Sequence, residues 1–191
     1  MPENKIELLT PSKLWSRSEI LNQKPCPIPS ESGVYAWYFK QIPTVIPTQD
    51  CHYHNNFTLL YVGIAPSRPT SSNTLRKRIT QHYRSNAFGS TLRLSLGCLL
   101  ADELGIELRR VGSGNRQTFG PGENTLSSWM EQNAFITWTQ HPEPWVLEDE
   151  LIQQLSLPLN LRDNENHPFH PQLTTIRSQA KTRAKELPIQ N

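Results

Sequence analysis

Apolar residues in this chain follow two rhythms. Dense runs of Val, Tyr, Trp and Phe predict strands at 33–39 and 58–64, because β-branched and aromatic side chains suit a pleated, half-buried surface. A third run at 134–139 carries Phe135, Ile136 and Trp138 and reads the same way. Elsewhere the spacing is helical. Over 74–84, Leu75, Ile79 and Tyr83 fall in one narrow sector at about 100° per residue. Helices are also expected over 91–104, with Leu92, Leu96, Leu99 and Leu100 apolar, over 123–133, and over 144–155 with Pro144 in its first turn. A short helix around 15–22 ends at the proline-rich Pro25-Cys26-Pro27-Ile28-Pro29.

Between these runs, 40–57 reads as a long polar loop. Residues 105–122 read as irregular, with a short strand at 106–111 and a turn at Gly112-Ser113-Gly114. The first two strands are expected to pair antiparallel despite their long connection. Together these elements predict one α+β domain over 1–191, with a small three-stranded antiparallel sheet flanked by helices. Residues 1–32 form a lead-in, and 171–186 a closing basic helix.

Composition narrows this only a little. A length of 191 residues suits one domain with a real core. Net charge is +2 and the pI about 8.5, which permits a nucleic-acid partner without arguing for one. Three scattered cysteines, Cys26, Cys51 and Cys98, do not form a disulfide framework. The opening Met1-Pro2-Glu3-Asn4-Lys5 lacks a signal-peptide pattern, and the apolar run 59–65 is too short to cross a membrane. A cytoplasmic protein without a membrane partner is the resulting expectation.

Glu148 is the sharpest candidate for chemistry. With Leu147 set at zero on the helical wheel, Leu151 lies at about 40°, Leu155 at about 80°, Glu148 at about 100° and Ile152 at about 140°. The carboxylate therefore falls inside the apolar sector. An acid there must be paired, hydrogen-bonded or metal-bound, since burying it alone is costly. The helix leaves open a structural pairing with an arginine. Arg78 and His82 lie one turn apart at the edge of the Leu75/Ile79/Tyr83 face. A forked guanidinium suits a phosphate, although Arg76-Lys77-Arg78 also reads as a surface basic cluster. Tyr35 and Tyr61 are strand tyrosines of the kind that often serve packing, and Asn160 in Leu157-Pro158-Leu159-Asn160 also fits a turn.

The order of these residues carries more than any one of them. Gly33-Val34-Tyr35 and Tyr61-Val62-Gly63, followed by Arg78, His82, Glu148 and Asn160, resemble the signature of the GIY-YIG nuclease superfamily over residues 33–160. The resemblance implies a metal-dependent endonuclease that hydrolyses DNA phosphodiesters with one ion. It implies that Glu148 holds Mg2+ or Mn2+, that Tyr35 acts as general base and Tyr61 positions water or phosphate. Arg78 would steady the phosphate, His82 would relay a proton or bind phosphate, and Asn160 would fix the site indirectly. A tyrosine of ordinary pKa near 10 is a poor base at neutral pH, so the ion and Arg78 would have to lower it. Gly33 and Gly63 are best read as allowing close backbone approach.

Further basic residues extend the expected nucleic-acid contacts: Lys77, Arg93, Arg177 and Lys181, with Arg109, Arg110 and Arg116 as weaker candidates. Arg177, Lys181 and Lys185 recur at helical spacing as a stripe. DNA is favoured over RNA as partner, and the oligomeric state is open. Cys51-His52-Tyr53-His54 lacks a second pair with structural-zinc spacing. Two other functions remain in play. One is a non-catalytic nucleic-acid-binding module. The other is a protein-interaction component using Trp129, Trp138 and Trp145, residues more simply read as core.

Overall fold

Strand β1 (Gly33–Phe39) is buried at every position. A strand with no wet face needs neighbours on both edges and layers on both sides, and a computed structural model of the protein, which describes residues 3–190, shows both. In chain order the elements are α1 (Glu3–Leu9), α2 (Arg17–Asn22), β1, β2 (Tyr53–His54), β3 (Phe57–Ala65), α3 (Leu75–Arg84), α4 (Thr91–Leu99), α5 (Ala101–Leu104), β4 (Arg109–Val111), β5 (Arg116–Thr118), α6 (Gly122–Asn133), β6 (Ala134–Gln140), α7 (Pro144–Gln154) and α8 (His170–Glu186). The main sheet is ordered β2-β3-β1-β6, and all its pairings are antiparallel.

One face of β1 carries Tyr35, Trp37 and Phe39 into a core shared with Leu75 and Ile79 of α3, Leu92 and Leu96 of α4, Leu126 and Met130 of α6, and Leu173 of α8. The other carries Val34, Ala36 and Tyr38 into a second core with Leu8 and Leu9 of α1 and Leu147, Leu151 and Ile152 of α7. Two helical layers thus cover the sheet, as expected for α+β packing.

Two expectations need correction, the strand count and the helix over 91–104, and two further stretches gain detail. The sheet has four strands, not three. The extra one, β2, lies in the stretch read as loop and pairs Tyr53 with Thr58 and His54 with Phe57. Two residues leave no periodicity to read. The lead-in is structural: α1 packs on the sheet, the Tyr38 hydroxyl donates to the Leu8 carbonyl at 2.7 Å, and Trp15 exchanges backbone hydrogen bonds with Ile136. The helix expected over 91–104 is divided at Leu100, where the backbone leaves helical geometry. The irregular stretch forms a small hairpin, β4 with β5, turning through Gly112 and Gly114, both at positive φ. Among the described residues no helix is long and apolar enough to cross a membrane.

Candidate active site

Antiparallel pairing of β1 with β3 builds the floor of the site. Tyr35 stands opposite Gly63 and Trp37 opposite Tyr61, so the two tyrosines are diagonal neighbours on one face, with ring centroids 6.4 Å apart. Gly63 makes room for this. A Cβ there would lie 2.5 Å from the Tyr35 hydroxyl oxygen. Leu60 is an extra residue in β3, forming a bulge where Trp37 pairs with Tyr61 but Tyr38 pairs with Leu59.

Helix α3 packs over this face. Its N-cap, Thr74, accepts from the Lys77 N–H, and the buried Leu75, Ile79 and Tyr83 set its rotation. Arg78 is thereby turned toward the tyrosines. Its Nη1 donates to Gln81 Oε1 at 3.0 Å and to the Gly89 carbonyl at 3.3 Å. His82 lies deeper, fully buried. Its Nε2 is 2.8 Å from the Tyr35 hydroxyl and its Nδ1 is 2.7 Å from Ser90 Oγ. Burial, aided by the charges of Arg78 and Arg93, holds its pKa well below the usual histidine value, so the ring is neutral. Ser90 is also the N-cap of α4 and accepts from the Arg93 N–H.

Helix α7 brings Glu148 to the same place. The sector that buries Leu147, Leu151 and Ile152 carries Glu148 into a cavity of about 540 Å³, lined also by Tyr35, Tyr61, Arg78, Thr91, Asn160 and Arg177. Among the described residues no hydrogen bond or ion pair satisfies this carboxyl, and burial pushes its pKa up to about 7, opposed in part by Arg162. A solitary carboxyl with open space before it fits a divalent cation that keeps most of its ligands as water and phosphate oxygens. Burial likewise raises Tyr35 well above the ordinary phenol value, with Tyr61 adding to the rise and Arg78 opposing it. Tyr61 is raised for the same first reason, again against Arg78.

Asn160 works through the backbone. Strand β2 covers only the first part of the β3 edge. Beyond it, the Leu159 N–H donates to the Leu60 carbonyl, and the Asn160 amide takes the Val62 N–H and gives its own N–H to the Val62 carbonyl, each at 2.9 Å. The side chain thus stands in for a missing strand beside Tyr61. Asn160→Ala is expected to lower stability by about 2–3 kcal/mol, because two buried backbone groups lose their partners. Denaturant unfolding measures this, and a loss under about 0.5 kcal/mol would contradict it.

Other sequence candidates separate. Arg93 is withdrawn as a nucleic-acid contact. It is fully buried, and its Nη2 pairs with Glu123 Oε2 at 2.7 Å. Arg109 and Arg110 donate to carbonyls at the end of α8, Pro188, Ala184 and Leu187. Lys77 and Lys181 are exposed and do not line the cavity. The basic stripe therefore divides: Arg177 faces the cavity, whereas Lys181 and Lys185 face solvent. His52 donates to the Leu9 carbonyl at 2.6 Å, and no group of three potential ligands is found among the described residues. Trp129 packs on Phe39 in the core, and Trp138 stacks on Trp15. Sequence reasoning missed the loop residues Arg162 and Asp163, which line the cavity and pair at 3.1 Å. Adjacent opposite charges in a polar stretch give no signal of a site.

Paired phenols on a sheet, an arginine helix and a carboxylate helix converge on one cavity. The chain belongs to the GIY-YIG family: the model of the GIY-YIG catalytic domain matches residues 33–179. Domains of this family are typically endonucleases that act on nucleic acid, mostly DNA, and generally depend on a divalent metal. No curated protein and no solved structure matches the chain.

Proposed function

We propose that this protein is an endonuclease that hydrolyses DNA phosphodiesters with one divalent ion, Mg2+ or Mn2+, held by Glu148. The observation that carries this reading is the convergence of Tyr35, Tyr61, Arg78 and Glu148, from four separate elements, on one cavity. Once bound, such an ion supplies charge neutralisation at the phosphate and the leaving oxygen. The chain's own residues do the rest. Arg78 binds non-bridging oxygens of the scissile phosphate with the part of its fork not held by Gln81 and Gly89. Tyr61 orients water or phosphate at the cavity floor. Tyr35 takes the proton of the attacking water as a phenolate, which the bound ion and Arg78 must stabilise against its burial; as a phenol it donates to the neutral His82 ring at Nε2, 2.8 Å away. In that tautomer His82 Nδ1–H donates to Ser90 Oγ, whose two lone pairs serve both this bond and the Arg93 N–H.

Nicking of supercoiled plasmid and cleavage of labelled oligonucleotides in Mg2+, Mn2+ or chelator test the reading. The wild type is expected to cut with metal, and Glu148→Ala to stop it. Equal cutting by the variant, or none of any DNA or RNA by the wild type, would overturn it. Tyr35→Phe keeps the ring packing and removes the proton acceptor, so single-turnover cleavage is expected to fall by about 100- to 10,000-fold. A change under threefold would remove Tyr35 from the proton path.

A further inference from the structure

Helix α8 contributes an arginine outside the family signature. Arg177 is half-buried in the cavity wall, and burial lowers its pKa, so its charge is held where it is poorly solvated. Among the described residues its hydrogen bond is a long one, Nη1 to Ser95 Oγ at 3.4 Å, and no carboxylate pairs with it. Other arginines here have such partners: Arg93 with Glu123, Arg183 with Glu107, Arg162 with Asp163. A guanidinium that lines a cavity with no carboxylate partner is available to an anion entering there.

The charges of the cavity agree. Arg78, Arg162 and Arg177 face Glu148 and Asp163. With Arg162 and Asp163 paired, two arginines remain against the single carboxyl of Glu148. The two are also separate. Arg78 is held by Gln81 and the Gly89 carbonyl, whereas Arg177 reaches Ser95 on α4. The two cations thus enter one cavity from different helices, α3 and α8.

A polynucleotide strand delivers anions in series, and two cations in one cavity suit two consecutive phosphates. We propose that Arg177 binds the backbone phosphate next to the scissile one on the cleaved strand. This rests on the nuclease reading above and narrows its substrate. The chain must carry at least two successive phosphodiesters at the cut, so a dinucleotide with one phosphate is a poor substrate.

The test is binding without cleavage. Fluorescence anisotropy of an oligonucleotide in chelator, over a range of salt, is compared for wild type, Arg177→Gln, Arg177→Lys and, as control, Arg183→Gln. Arg177→Gln is expected to weaken binding about tenfold and to reduce the slope of log K against log salt by about 0.7–0.9, one phosphate contact. Arg177→Lys should keep the slope, and Arg183→Gln should change neither. A neutral methylphosphonate walked along the strand should weaken wild-type binding at one linkage where Arg177→Gln is indifferent. The melting temperature of Arg177→Gln should be no lower than wild type, since a half-buried charge without a carboxylate partner is removed. An unchanged slope and affinity would overturn the proposal, as would a lower melting temperature, which marks a structural role. A lost slope in a protein that cuts nothing would sink the nuclease reading and leave the anion subsite standing. Cleavage with an unchanged slope would do the reverse.

Discussion

Glu148→Gln is expected to abolish metal-dependent cleavage, by about 1000-fold or more, and at the same time to stabilise the protein at alkaline pH. Both effects come from one half-buried carboxyl whose pKa is pushed up to about 7 from an ordinary 4.5. The folded state holds this proton more tightly than the unfolded chain does. Its contribution to stability is therefore fully present below about pH 4.5 and is lost as pH rises through about 7. The rise from 4.5 to about 7, at about 1.36 kcal/mol per pH unit, sets an upper figure of about 3 kcal/mol. Glutamine carries no charge to desolvate. In chelator, the variant should melt above wild type at pH 8 and match it near pH 4. Wild-type affinity for Mn2+ should fall about tenfold per pH unit below 7, because a proton competes for the ligand. Melting curves that stay parallel across pH would show that Glu148 is solvated or paired in solution.

The second large effect lies away from the cavity. Glu123→Ala should cost about 3–5 kcal/mol, a large part of the roughly 5–15 kcal/mol that holds a domain together. Glu123 Oε2 accepts from Arg93 Nε and Nη2 at 3.1 and 2.7 Å, while Oε1 accepts the N–H groups of Ala87 and Phe119 at 2.8 and 3.1 Å. The carboxylate ties the α3–α4 loop, α4 and the start of α6 together. Removing it strands the charge of Arg93, which is fully buried. Denaturant unfolding should show the loss, and Arg93→Met in the same chain should restore much of it, since an apolar side chain there leaves no charge unpaired. Additive losses in the double variant would mean that the two residues act independently. Activity should fall with Glu123→Ala as well, because Ser90, at the head of α4, holds His82.

Some of this was legible along the chain. Strand β1 matches its expected bounds of 33–39 because an unbroken aromatic and β-branched run is enclosed by proline-rich and polar flanks. The wheel of α7 placed Glu148 among buried leucines from spacing alone. The roles of Gly33 and Gly63 were also readable, and a Cβ at Gly33 would collide with the Thr139 carbonyl and Leu75. Other features carried no such mark. Helix α1 has only seven residues, too short to hold together without the sheet beneath it. Arg93 read as one more surface arginine because its partner lies 30 positions away. The same holds for Arg177, which shares a helical stripe with Lys181 yet points to a different environment.

Local order in the chain settles which segments coil or extend, since backbone propensity and the spacing of apolar side chains act over a few neighbouring residues. It also names the chemistry available: two phenols, an arginine, a histidine, a carboxyl and an amide. Pairing register, bulge position and helix packing assign each group its surroundings. They set Tyr35 against Gly63, leave Glu148 without a hydrogen-bond or ion-pair partner among the described residues, and turn Arg93 inward and Arg177 toward the cavity. Those outcomes depend on contacts between residues far apart in sequence, and the electrostatic state of a side chain follows from the atoms around it.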